Sequence, residues 1–126
     1  MPEKRPVILY VDDDPDYRAV VRSILEANGY EAVEANSGEE GVEVFKSAKP
    51  DLIIVDLMME EVDTGARFAK ELRLLGNTAP IYMLSSVGEG MNMMEDPAAL
   101  GLAGIFQKPV DHGVLVRTLK KTLRVE

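Results

Sequence analysis

Three consecutive aspartates, Asp12, Asp13 and Asp14, follow directly on the apolar run Val7–Val11. A fourth, Asp56, closes the apolar LIIV segment within residues 51–59. Ser85 and Ser86 follow an apolar run at 81–84, and Lys108 follows another at 104–107. Carboxylates in this number suit a hard divalent cation. Mg²⁺ prefers oxygen ligands, keeps several waters, and takes one or two protein carboxylates plus phosphate oxygens. Without a cation the clustered charge repels itself and raises at least one carboxyl pKa. A carboxylate at the centre of such a group is also a nucleophile toward phosphorus, giving an acyl phosphate. A phosphoryl group in transfer spreads charge over its equatorial oxygens and needs a metal, a hydroxyl and an ammonium around it. Asp12 with Asp13, Ser85, and Lys108 supply groups of those three kinds.

Bringing them together requires strands that all end on one edge. Short runs rich in Ile and Val read as strands buried on both faces of a parallel sheet. Open α/β sheets do their chemistry at the carboxyl ends of such strands. Helix signals alternate with the runs. Asp14-Pro15 pairs an N-cap with a first-turn proline, and Gly29 closes the helix that carries Ala19, Val20, Ile24 and Leu25. Residues 30–35 read as a weakly apolar strand at a sheet edge. Ser37-Gly38-Glu39-Glu40 is a capping box opening a helix with Val42, Val44 and Phe45, which runs to about Lys49 before Pro50 stops it. A third helix places Phe68, Ala69 and Leu72 inward and ends at Gly76. Asp111 caps the last helix, with Val114, Leu115, Thr118, Leu119 and Leu123 at helical spacing. Between the fourth and fifth strands, Gly88, Gly90, Pro97, Gly101 and Gly104 break up a Met-rich segment, which predicts a short or distorted helix. The pattern is (βα)₅. Short connections and right-handed crossovers make it a doubly wound parallel sheet with helices on both faces.

At 126 residues the chain fits one domain, residues 1–126, and buries roughly 65–70% of its unfolded surface. No apolar run reaches the roughly 20 residues of a membrane helix, and none follows the basic pair Lys4-Arg5, which argues against a membrane span or a signal peptide. The absence of cysteine excludes disulfides and thiolate metal sites and suits a reducing cytoplasm. A net charge of −8 disfavours direct binding of nucleic acid.

Four signals in register over five βα units resemble the receiver domain of two-component response regulators, including the chemotaxis receivers. They are VDDD after the first strand, Asp56 at the end of the third, Ser85 after the fourth and Lys108-Pro109 after the fifth. The resemblance implies the flavodoxin-like strand order 2-1-3-4-5. It makes Asp56 the acceptor of a phosphoryl group from a sensor histidine kinase or phosphotransfer protein. It makes Asp12, Asp13 and Asp56 the carboxylates of a Mg²⁺ (or Mn²⁺) site, with Met58 adding its backbone carbonyl. Ser85 and Lys108 would close on the phosphoryl group, and the Lys108–Pro109 bond would be cis. The implied product is a signalling switch without an effector domain of its own and not a turnover enzyme. Its fourth helix, fifth strand and fifth helix would form the face read by a downstream protein or by a second copy in a homodimer.

The chain departs from that pattern in two places. Asp63-Thr64-Gly65 follows Met59-Glu60 without the usual proline and with one extra residue, so a longer acidic loop, Glu60 to Asp63, borders the metal side. At the position of the inward-turning aromatic stands Ile105, followed by Phe106. Activation then runs through the loop after Ser85 or through Phe106. The apolar Met58 and Val87 stand where polar side chains orient a hydrolytic water, which predicts slow loss of the phosphoryl group. Asp14 reads as a helix cap, His112 as a surface residue, Ser86 as a small packing residue, and Met91, Met93 and Met94 as packing or an adaptable surface. Two rivals remain: a pseudo-receiver that docks a partner without phosphorylation, and a phosphatase of the haloacid dehalogenase type. The second expects a D-x-D nucleophile after the first strand and a cap domain; here the acids are adjacent, the candidate nucleophile Asp56 follows the third strand, and no residues remain for a cap.

Overall fold

The computed structural model of the chain describes residues 5–56, 64–86 and 102–123. Five strands, β1 (Val7–Val11), β2 (Glu31–Ala35), β3 (Leu52–Asp56), β4 (Ile81–Ser86) and β5 (Gly104–Lys108), pair in parallel in the order β2-β1-β3-β4-β5. Four helices are described: α1 (Pro15–Ala27), α2 (Gly38–Ala48), α3 (Thr64–Leu74) and α4 (His112–Leu123). Expectations that concern Met58, Glu60 to Asp63, Val87, Met91, Met93, Met94 and the helix between β4 and β5 fall outside the described residues.

Period-2 alternation divides the strand side chains between two cores. Ile8 and Tyr10 face one side, where they meet Val21 and Leu25 of α1 and Leu115 and Leu119 of α4. Leu9 and Val11 face the other, with Val42 of α2 and Phe68 and Leu72 of α3. The central strand β3 is buried along its whole length, as its unbroken apolar sequence requires. β2 is an edge strand, and its Glu31 is exposed.

Helix ends follow the local chemistry. Asp14 Oδ1 accepts from Asp16 N at 3.0 Å and Tyr17 N at 3.3 Å, and Ser37 Oγ accepts from Glu40 N at 3.1 Å. Glu40 Oε1 reaches back to Asn36 N at 2.6 Å, one residue before the cap. Asp111 Oδ1 accepts from Val114 N at 3.0 Å. Gly29 lies just past α1 with φ +91°, a left-handed conformation that side chains resist. Gly41 serves close approach instead, since a Cβ there would stand 2.8 Å from the Phe68 ring and push α3 off α2.

Candidate functional site

With β1 beside β3, and β4 and β5 following, the carboxyl ends of four strands meet along one edge. Asp12, Asp56 and Ser85 are all buried there, while Asp13 is exposed. One carboxylate oxygen from each of Asp12, Asp13 and Asp56 lies within 4.8 Å of the others. Lys108 Nζ donates to Asp56 Oδ2 at 3.1 Å and stands 3.8 Å from Asp12 Oδ2. The Lys108–Pro109 peptide bond is cis.

Asp12 is fixed from several directions. Its Oδ2 accepts from the Tyr10 hydroxyl, and its Oδ1 accepts from Asp14 N at 3.0 Å. Its backbone N–H donates to Ala35 O at 3.0 Å, and its carbonyl accepts from Arg18 Nη1 at 2.7 Å. Arg18 is itself held by Glu34 at 3.1 Å, which ties the first strand's tip to the edge strand.

Burial pushes the Asp56 carboxyl up from 3.8 to about 6, and the nearby Asp12 charge pushes in the same direction against the pull of Lys108. Burial alone would pull the Lys108 ammonium down, but its hydrogen bond to Asp56 and the charges of Asp56 and Asp12 hold it above its ordinary value. Burial and the bond to Asp12 likewise raise the Tyr10 phenol, so it remains a donor. Among the described residues, three carboxylates facing one ammonium leave excess negative charge and oxygen donors. That donor set fits a hard divalent cation. Tyr10→Phe keeps the ring and removes the donor that orients Asp12. Loss of such a supporting hydrogen bond is expected to weaken Mg²⁺ binding about tenfold, read as a displaced Mg²⁺ titration of the melting temperature. An unchanged titration would show that the hydroxyl does not tune Asp12.

The response regulator receiver domain family model matches residues 8–120. This chain belongs to that family. Chemotaxis protein CheY of Bacillus subtilis is 35% identical over 117 residues, which cover 92% of this chain and 96% of CheY. The transcriptional regulatory protein GlrR of Escherichia coli is 33% identical over 126 residues, 98% of this chain but 27% of GlrR. The solved chemotaxis response regulator CheY4 of Vibrio cholerae superposes with a TM-score of 0.83 at 31% identity, over 94% of this chain and 99% of that one. Receiver domains are signalling modules, and the five-stranded order found here is the flavodoxin-like one.

The receiver site thus gathers Asp12, Asp13, Asp56 and Lys108 at the strand ends, with Ser85 buried near the end of β4; the Asp14 carboxylate caps α1 while its backbone N–H holds Asp12, and His112 is exposed at the start of α4. Ile105 and Phe106 point to opposite faces. Ile105 packs with the α2–α3 core, while Phe106 is buried against the α1–α4 core and stacks on Tyr82 at 5.1 Å between ring centroids. Sequence reasoning missed Tyr10, Tyr17 and Arg18. Tyr10 had a readable signal, because a lone hydroxyl in an aliphatic strand two residues before Asp12 falls on the same sheet face.

Proposed function

We propose that this receiver is a phosphorylation-controlled switch whose acceptor is Asp56. The observation that carries the reading is the Lys108 ammonium, 3.1 Å from Asp56 Oδ2, beside a buried Asp12. An Asp56 carboxylate oxygen attacks the phosphorus of a kinase or phosphotransfer phosphohistidine. The new O–P bond forms as the P–N bond breaks, and the electron pair leaves on the imidazole nitrogen. Asp12, Asp13 and Asp56, with the Met58 carbonyl, are the groups proposed to hold Mg²⁺, which when bound neutralises charge on the phosphoryl oxygens. Ser85 donates a hydrogen bond and Lys108 a charge to those oxygens. The acyl phosphate adds roughly −1.5 to −2 charge to the edge. Ser85 and Lys108 shift toward it, and a pre-existing equilibrium moves toward the state whose β5–α4 face, together with residues 87–101, engages a downstream protein or a second copy. The setting proposed for this exchange is the cytoplasm. One observation favours a phosphorylation-independent docking module as the second reading: the position of the inward-turning aromatic is held by Ile105, which is packed into the opposite core from Phe106.

Intact mass after incubation with acetyl phosphate tests the choice. A single phosphate adduct that requires Mg²⁺ and persists well beyond minutes once the donor is removed is the expected result. A folded, Mg²⁺-binding protein that takes up no phosphate would select the docking module.

A further inference from the structure

The Lys108 ammonium has a third neighbour besides the two carboxylates. It stands 4.6 Å from the centroid of the Tyr17 ring, within range of a cation–π contact. Tyr17 lies in the first turn of α1, where the Asp14 cap accepts its backbone N–H at 3.3 Å. Its hydroxyl accepts from Val110 N at 2.9 Å, across a separation of 93 residues. One side chain therefore touches both the ammonium and the backbone two residues behind it. The ring itself is half-buried and packs on the α1–α4 core together with Ile24 and Val110.

A lysine is a poor fixed electrode. Four rotatable bonds let it leave a site open to water, and Lys108 keeps 17% of its side-chain surface exposed. The rotamer freedom lost on holding it is of the same order as one cation–π contact plus one hydrogen bond, so the Tyr17 ring, added to the bond with Asp56, is enough to keep the amine in place. Preorganised charge is what transfer to Asp56 demands, because charge aimed in advance costs no reorganisation at the transition state. We propose that Tyr17 is the positioning residue for Lys108: its ring seats the ammonium and its hydroxyl anchors the strand end that carries it. This inference rests on the reading of Asp56 as phosphoacceptor.

The test is the rate of phosphate uptake from acetyl phosphate at saturating Mg²⁺, followed as a function of donor concentration. Tyr17→Leu is expected to lower the maximal rate constant about tenfold with little change in the donor concentration at half-saturation, and Tyr17→Phe, which keeps the ring, to recover most of the loss. Tyr17→Phe also serves as parent for mono-, di- and trifluorophenylalanine at position 17. These match its shape while draining the ring's negative face, so the rate is expected to fall stepwise along the series even where Tyr17→Leu does not fold. The Lys108 ε-methylene protons should be shifted upfield in wild-type protein and in Tyr17→Phe. A flat series, or a Tyr17→Leu protein that folds and reacts at the wild-type rate, overturns the role of Tyr17 while uptake by wild type keeps the acceptor reading intact. No uptake by wild type itself removes the acceptor reading, and the positioning role with it.

Discussion

Asp56→Asn is expected to abolish the phosphate adduct and, at the same time, to make the protein more stable at pH 8. The first effect follows from chemistry, since a carboxamide is no nucleophile toward phosphorus and the remaining acids lack the Lys108 contact at 3.1 Å. The second follows from linkage. A carboxyl that titrates near 6 in the folded chain and 3.8 as a free group binds its proton more tightly in the native state. Its contribution to stability is whole below pH about 4 and is lost as the pH rises through about 6. Above that, the folded chain carries a buried anion at a cost of roughly 3 kcal/mol, which asparagine avoids. Part of that gain is returned, because Lys108 is left with Asp12 alone at 3.8 Å. Thermal unfolding without Mg²⁺ should therefore place Asp56→Asn several degrees above wild type at pH 8 and level with it near pH 4. Equal melting at both pH values would falsify the assignment of strain to Asp56, and a persisting adduct would remove it as acceptor.

Lys108→Met should behave in the opposite sense. Methionine keeps the unbranched apolar stem and removes the ammonium that stands 3.8 Å from Asp12 and 3.1 Å from Asp56. Breaking one side of a well-buried pair costs several kcal/mol; with 17% of the lysine side chain exposed, about 2 kcal/mol at pH 8 is the expected loss. The deficit should shrink near pH 5, where Asp56 takes up its proton. Mg²⁺ should bind this variant more tightly than wild type, because the charge that competes for the same oxygens is gone. Uptake of phosphate should nonetheless fall about 10²- to 10³-fold, the usual effect of deleting one preorganised charge donor. A Mg²⁺ titration of melting temperature beside intact mass separates the two effects. Weaker Mg²⁺ binding in Lys108→Met would contradict a direct contest for the carboxylates.

The architecture was readable because its signals are local. Apolar runs such as Val7–Val11 and Leu52–Asp56 have nowhere to go but the middle of a sheet, and Asp14, Ser37 and Asp111 mark helix starts by a bond that reaches only two or three residues. The acids, hydroxyl and amine at the strand tips were readable for the same reason, since each sits at the end of a run. Tyr17 was not, because its two contacts depend on how α1 leans over the end of β5, a matter of packing between distant elements. Phe106 shows the limit of reading a position without its face. It follows directly on Ile105, and that one step moves it to the other core.

The contacts that join Tyr17 to Val110 across 93 residues and Asp56 to Lys108 across 52 also set when the site comes into being. On a ribosome, Asp12 and Asp56 emerge long before the lysine that balances them, and closing such long loops is the slow part of folding. Until the last strand docks, a nascent chain holds its acids without their amine. A half-made copy is therefore expected to take up phosphate no faster than Lys108→Met, and so to compete poorly with finished ones for a donor.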